Sequence, residues 1–312
     1  MMVISISTGA VKLTLEQMMN VLRNNGDNIS KTIVLNLRLP RVIASAIVGM
    51  GLSVVGAFFQ GLLRNPMADP YVLGISSGAA FGATIAIILG LNLLAINITA
   101  FVTSLATVFV VYTISRAGTR ISMTTMILAG TAISSFTYAL ISLMMLLNRE
   151  EFNKIIFWTM GGFNLTSWKA LIFTTPIIII GTFVMYSFSR DVNAILTGEE
   201  VAEHLGVNTE MVKKVILIAG SLVTAASVSI GGIIGFVGLI IPHICRILVG
   251  PDNRIMVPFS ALSGAIFLTF ADTLARIILK PSEIPIGIIT AAFGGPFFIY
   301  LLIKEKRKNE GM

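Results

Sequence analysis

At 312 residues, with 55% hydrophobic and only 12% charged residues and a mean hydropathy of +0.90, the chain carries about half the charge of an ordinary soluble domain. Its apolar residues fall in long runs, which excludes a soluble globular protein, a disordered chain, collagen and a disulfide scaffold. A single cysteine, Cys245, forms no internal disulfide, and with only His204 and His243 beside it there is no N/S metal cage; in such a chain the net charge of +7 reads as a basic excess in cytoplasmic loops, not as a nucleic-acid footprint.

Met1–Gly9 has neither the charged start nor the apolar length of a signal peptide. The first apolar segment then runs Leu39–Leu63, with Pro40 read as a first-turn proline. Tyr71–Gly90, Leu93–Ser115, Ile121–Leu147 and Trp168–Phe188 follow. After the polar stretch Ser189–Glu210 come Met211–Ile234, a short Phe236–Val249, Ile255–Arg276 and Ile286–Ile303. A helix needs about 20 apolar residues to span a bilayer, and no period-two alternation suggests a barrel. The expectation is an all-α polytopic membrane protein, one domain over residues 1–312, with nine membrane segments.

Lys and Arg set the orientation. Lys304, Lys306, Arg307 and Lys308 crowd the end of the last segment and put the C-terminus in the cytoplasm. The same side then collects Arg64, Arg116, Arg120, Arg190, Lys213, Lys214, Arg246 and Arg254, against Arg149, Lys154, Lys169, Arg276 and Lys280 outside. Lys12, Arg23, Lys31 and Arg38 fit less well, because an odd number of spans leaves them outside.

Several motifs can be weighed residue by residue. No Gly-Lys dipeptide and no H-E-x-x-H occur, so a phosphate loop and a zincin site are absent and ATP hydrolysis is not expected of this chain. Gly74, Gly78 and Gly82, with Ser77 beside them, put bare backbone on one helix face, which serves close helix packing, a smooth translocation path, or both. Gly231, Gly232, Gly235 and Gly238 ahead of Pro242 read either as a broken or re-entrant segment or as a plain loop. Asp272 and Arg276, four apart, read as a local neutralising pair, with a proton relay as the sharper alternative. Arg38 and Arg41 read as snorkelling cations at a helix end. Thr197–Val207 reads as a short amphipathic acidic helix stopped by Gly206, either a solvated connector or a docking helix for a cytoplasmic partner.

Taken together these motifs resemble FecCD-type permeases, the membrane subunits of type II ABC importers for ferric siderophores, heme and cobalamin. The resemblance is carried by Leu37-Arg-Leu-Pro-Arg41 with Gly49, Gly51, Gly56 and Gln60; by Arg64-Asn-Pro-Met-Ala-Asp-Pro70 and Leu73-Gly-Ile-Ser-Ser-Gly-Ala79; by Trp158, Gly161 and Trp168; by Phe236–Arg246 and Gly250–Arg254; and by Ala271-Asp272, Ala275-Arg276, Glu283–Gly287 and Gly294–Phe297. It implies a ten-helix subunit whose first span is missing here. It implies a dimer with a second permease copy or a paralogue, ATP-binding cassette ATPase subunits in the cytoplasm and an external substrate-binding protein. It further implies a coupling helix comprising Gly198, Glu199, Glu200, Ala202, Glu203, Leu205 and Gly206, binding-protein docking through Arg38, Arg41 and Arg276, and no cofactor of its own. A proton-coupled secondary transporter working through Asp272 is the alternative.

Overall fold

A computed structural model describes residues 1–8, 20–21, 27–117, 120–280 and 282–310; Lys12 and Arg23 lie outside them. The helices are α1 (Met2–Ser7), α2 (Asn28–Leu62), α3 (Ile75–Ile88), α4 (Leu93–Ser115), α5 (Met123–Leu147), α6 (Phe152–Thr159), α7 (Trp168–Ser187), α8 (Ser189–Thr197), α9 (Glu199–His204), α10 (Thr209–Gly231), α11 (Val237–Val249), α12 (Asn253–Ile277) and α13 (Ile286–Glu310). The only β structure among the described residues is a two-residue antiparallel ladder, Arg116–Ala117 with Arg120–Ile121.

The chain marks many of its own helix starts. Asn92, Ser122, Ser167, Asn208 and Asp252 each precede a helix and accept a hydrogen bond from a first-turn N–H, which satisfies a donor that has no partner within the helix.

Seven helices among the described residues are long and apolar enough to cross a membrane: α2, α4, α5, α7, α10, α12 and α13. The two other expected segments are shorter. Tyr71–Gly90 shrinks to the 14-residue α3, because Asp69 caps a 3-10 turn at Pro70–Leu73 and Gly74 turns left-handed at φ +77° before the helix begins. Phe236–Val249 becomes the 13-residue α11. At 1.5 Å per residue each extends about 20 Å, short of a hydrocarbon core of about 30 Å.

The first segment is longer than expected. It is helical from Asn28, and Pro40 lies inside the helix instead of opening it. A π-helical stretch, Thr32–Arg38, immediately precedes the proline, and the Leu39 N–H bonds back to the Val34 carbonyl. The widened turn shifts the hydrogen-bond register where proline brings no N–H.

Two helices form the centre. The apolar window of α2 is 83% buried and that of α10 78%, against 22% for α4 and 28% for α5 and α13. The outer helices therefore keep large apolar faces uncovered, which a bilayer solvates and water does not. α2 and α12 run antiparallel in close contact: Arg41 meets Asp272, Ser45 meets Thr269 at 3.2 Å, and a methyl group on either Gly49 or Gly264 would strike the other's carbonyl. Backbone approach of this kind is the membrane substitute for a hydrophobic driving force between helices.

The chain between α10 and α11 is an irregular segment inside the protein. Protein groups from elsewhere in the bundle meet it: Gly162 N–H donates to the Gly231 carbonyl at the end of α10 at 2.8 Å, and the Tyr71 hydroxyl donates to the Ile234 carbonyl at 3.0 Å and accepts from its N–H at 3.2 Å. Non-helical backbone is stable at this depth only when protein supplies such partners.

Two of the prolines inside helices, Pro242 and Pro258, receive the same treatment. Pro242 brings no N–H, so the Gly238 carbonyl four residues back lacks its helical partner. Gln60 Nε2 donates to it at 3.2 Å and to the neighbouring Leu239 carbonyl at 3.0 Å. Pro258 frees the Arg254 carbonyl, which accepts from the Tyr186 hydroxyl at 3.3 Å.

Candidate functional site

The candidate functional residues gather at two opposite ends of the α2–α12 pair, separated by about 36 Å of helix, Leu39–Leu62 of α2 lying alongside Asn253–Ile277 of α12. One end carries Arg64, α8, α9 and Asp252; the other carries Arg41, Asp272, Arg276 and Glu283.

At the first end, the expected coupling segment folds as a helix shorter than anticipated, Glu199–His204, between Gly198 at φ +147° and Gly206 at φ +84°. Ala202, fully buried, anchors it, while Val201 (48% exposed) and Leu205 (70% exposed) face outward beside exposed Glu200 and Glu203. The surface is thus apolar at its centre and acidic at its edge. Glu199 is differently employed. Its carboxylate accepts from Lys213 Nζ at 2.6 Å, and Glu210 accepts from the same ammonium at 3.1 Å. Lys213 is 5% exposed, and a buried ammonium needs such counter-charges. Glu203 accepts from the Thr209 hydroxyl at 2.9 Å.

α8 is tied to two further helices. Arg64 donates to the Ile195 carbonyl at 3.2 Å. Asn193 donates to Asp252 Oδ1 at 2.7 Å and accepts from both the backbone and side-chain nitrogens of Asn253, at 3.0 and 2.7 Å. Hydrogen bonds from Arg254 and from Asn193 hold the Asp252 carboxyl well below the usual carboxylate range. Sequence reading missed Asn193 and took Lys213 only as a cytoplasmic cation, since both act through partners on another element.

At the other end the three arginines do not present free forks on the surface: Arg38, Arg41 and Arg276 are only 7%, 8% and 5% exposed. Arg41 binds Asp272 at 2.9 Å and Glu283 at 2.8 Å. Arg276 binds Asp272 at 3.1 Å, so the i,i+4 neutralising pair forms as expected. Arg276 also donates to the Ser5 and Thr8 carbonyls and the Ser5 hydroxyl, at 3.1, 2.9 and 2.6 Å, while Arg38 donates to the Ile6 carbonyl at 2.8 Å. These carbonyls belong to the last turn of α1 and the residue after it, where a helix lacks internal donors and attracts cations. Asp272, fully buried, is held between two guanidiniums, which is the arrangement of a structural ion network. Beside it opens a cleft of about 340 Å³ whose walls include Arg41, Asn97, Trp158, Asn164 and Glu283.

Gly74, Ser77, Gly78 and Gly82 are buried within the protomer. Side chains on Gly78 or Gly82 would strike Thr107 or Thr103 of α4, and Ser77 donates to Ser134 of α5 at 3.1 Å. These residues pack α3 against α4 and α5. Gly74-Ile-Ser-Ser-Gly78 also fits the G-x-S-x-G spacing of a hydrolase elbow, but that device needs a strand-to-helix turn that exposes the serine. Here Ser76 is 8% exposed in the first turn of α3, after a 3-10 turn.

Comparison with known proteins agrees with this architecture. The chain is 41% identical to the ABC transporter permease protein YvrB of Bacillus subtilis, over 99% of this chain and 92% of that protein. It is 42% identical to the cobalamin import system permease protein BtuC of Halobacterium salinarum, over 88% and 74%. A solved metal-chelate type ABC transporter in an inward-facing conformation superposes with a TM-score of 0.86 at 34% identity, covering 97% of this chain and 95% of the other. The FecCD transport family model matches residues 1–304, and with the long apolar helices this shows that the chain is a multi-pass membrane permease belonging to the FecCD transport family.

Proposed function

We propose that this permease is the membrane subunit of an ATP-binding cassette importer that brings an iron chelate, heme or cobalamin into the cytoplasm. The observation that carries the reading is the exposed face of α9, where Val201 and Leu205 stand among Glu200 and Glu203 at the end of the bundle that also collects Arg64 and Arg254. An exposed apolar patch with a charged rim is the surface of a protein partner. In this reading ATP-binding subunits dock there from the cytoplasm, the C-terminus lies on the same side, and ATP is hydrolysed in those subunits. The relatives' names, cobalamin permease and metal-chelate transporter, support the substrate class.

The same reading pairs the permease with a second copy or a paralogue, with a translocation path on the axis between them. An external binding protein delivers the chelate to the arginine end. Arg38, Arg41 and Arg276 reach such a protein only by exchanging their present carbonyl and carboxylate partners, so docking and the internal network compete for the same guanidiniums.

Co-purification tests the docking face. Val201→Asp combined with Leu205→Asp is expected to abolish retention of the ATP-binding subunits while leaving the permease folded, since both side chains already face outward. Undiminished retention and ATP-driven uptake in the double variant would remove α9 as the docking element.

A further inference from the structure

The docking reading leaves open how movement of α9 reaches the far end of the protein, and the contacts of α8 answer it. α8 and α9 are consecutive, separated only by Gly198. From α8, Asn193 makes three hydrogen bonds to the first residues of α12 and their cap, at 2.7, 3.0 and 2.7 Å. Asn253 is 1% exposed, which buries its end of the two bonds it donates, while the Asp252 carboxylate stays partly open to solvent. Arg64, just past the end of α2, holds the Ile195 carbonyl of the same short helix. The receiving helices cannot slide freely past each other, because Gly49 and Gly264 interlock at backbone contact and Ser45 meets Thr269 at 3.2 Å. At their other end Arg41 and Arg276 close on Asp272.

We propose that Asn193 is a coupling latch: a positioning residue whose carboxamide transmits displacement of α8–α9 to the α2–α12 pair, which carries it as one body to the arginine end. The inference rests on α9 being the ATPase docking element. A carboxamide suits the role because one planar group both donates and accepts. Its Nδ2 donates to the ionised Asp252, a charge-assisted bond of the stronger kind, while its Oδ1 takes both nitrogens of Asn253. The separate link from α9, Glu199 to Lys213 at 2.6 Å, runs to α10 and not to the α2–α12 pair.

Nucleotide-driven distance changes test the latch without knowledge of the cargo. In the full complex with its ATP-binding subunits, on a Cys245→Ala background, spin labels are placed at Lys154→Cys on α6 and at either Arg190→Cys, exposed on α8 and outside the docking face, or Lys280→Cys beyond α12. With the latch intact, ATP plus vanadate shifts both the 154–190 and the 154–280 distances. Asn193→Asp removes the donor and sets carboxylate against carboxylate, and is expected to leave the 154–190 shift while abolishing the 154–280 shift. Adding Asp252→Asn restores a donor on the opposite side and is expected to restore the 154–280 shift. A 154–280 shift that persists in Asn193→Asp overturns the proposal. So does a loss that the paired exchange fails to rescue, or a loss of the ATP-binding subunits themselves, which would make the contact a mere scaffold for docking. Absence of any 154–190 shift with the latch intact would overturn the docking reading on which it rests.

Discussion

Gln60→Leu provides the most direct test of how this fold tolerates proline in its core. Gln60 is 1% exposed, and its Nε2 reaches the Gly238 and Leu239 carbonyls at 3.2 and 3.0 Å. The Gly238 carbonyl is free because Pro242 brings no N–H, so the glutamine substitutes for a missing helical donor. Leucine has similar bulk and no donor. Leaving one buried carbonyl unpaired costs about 1–3 kcal/mol, interhelical hydrogen bonds in membrane proteins are worth at most about 1.7 kcal/mol, and removing Gln60 Oε1, a buried acceptor with no partner, offsets part of the cost; a loss of about 1 kcal/mol is expected. The decisive comparison is a double-mutant cycle with Pro242→Ala. Alanine returns the N–H, the Gly238 carbonyl regains a helical partner, and Gln60→Leu should then cost less by about 1 kcal/mol. The assay is reversible denaturant unfolding of the purified permease in detergent, read by the fluorescence of Trp158 and Trp168. Equal costs of Gln60→Leu in the proline and alanine backgrounds would refute the reasoning, since the glutamine would then be doing something other than replacing the proline's donor.

Two further outcomes follow from charges inside the fold. Burial pushes the Asp69 carboxyl up to about 6, against the pull of its bond from the Tyr71 N–H; the folded state thus holds that proton more firmly than the unfolded chain, and stability present below the ordinary carboxylate range should fall as pH rises from about 4 to about 6. Asp69→Asn keeps an acceptor for Tyr71 and should flatten that fall in the thermal midpoint, so an unchanged pH profile in the variant would assign the titration elsewhere. Asp272→Asn leaves two buried guanidiniums without their shared carboxylate and should destabilise by about 3–5 kcal/mol in the same unfolding assay, whereas a loss under about 1 kcal/mol would mean that the network is open to water.

Much of the fold was legible in the sequence because the responsible forces are local. Apolar runs of helix-spanning length require a bilayer and a helical backbone wherever they occur, and Asn92, Ser122, Ser167, Asn208 and Asp252 announce their helix starts through bonds to residues two or three positions away. The acidic α9 could be found in the same way, from Gly206 and the spacing of Val201 and Leu205. The i,i+4 pairing of Asp272 and Arg276 needed only helical geometry.

What the tertiary structure alone decided are the partners of groups whose range is not local. Arg41 lies 231 positions from Asp272 and 242 from Glu283. A free fork on the surface and a buried ion network are therefore the same letters until the helices pack. Asn193 finds Asp252 at a separation of 59, and Gln60 finds the Gly238 carbonyl at 178. Even the lengths of α3 and α11 depended on irregular backbone at Asp69–Gly74 and Gly232–Phe236, which survives because Tyr71 and Gly162 supply hydrogen bonds across the bundle. Hydropathy records where a segment prefers to be, which is a property of the segment; polar satisfaction in a medium without water is a property of pairs, and pairs exist only once the chain has folded.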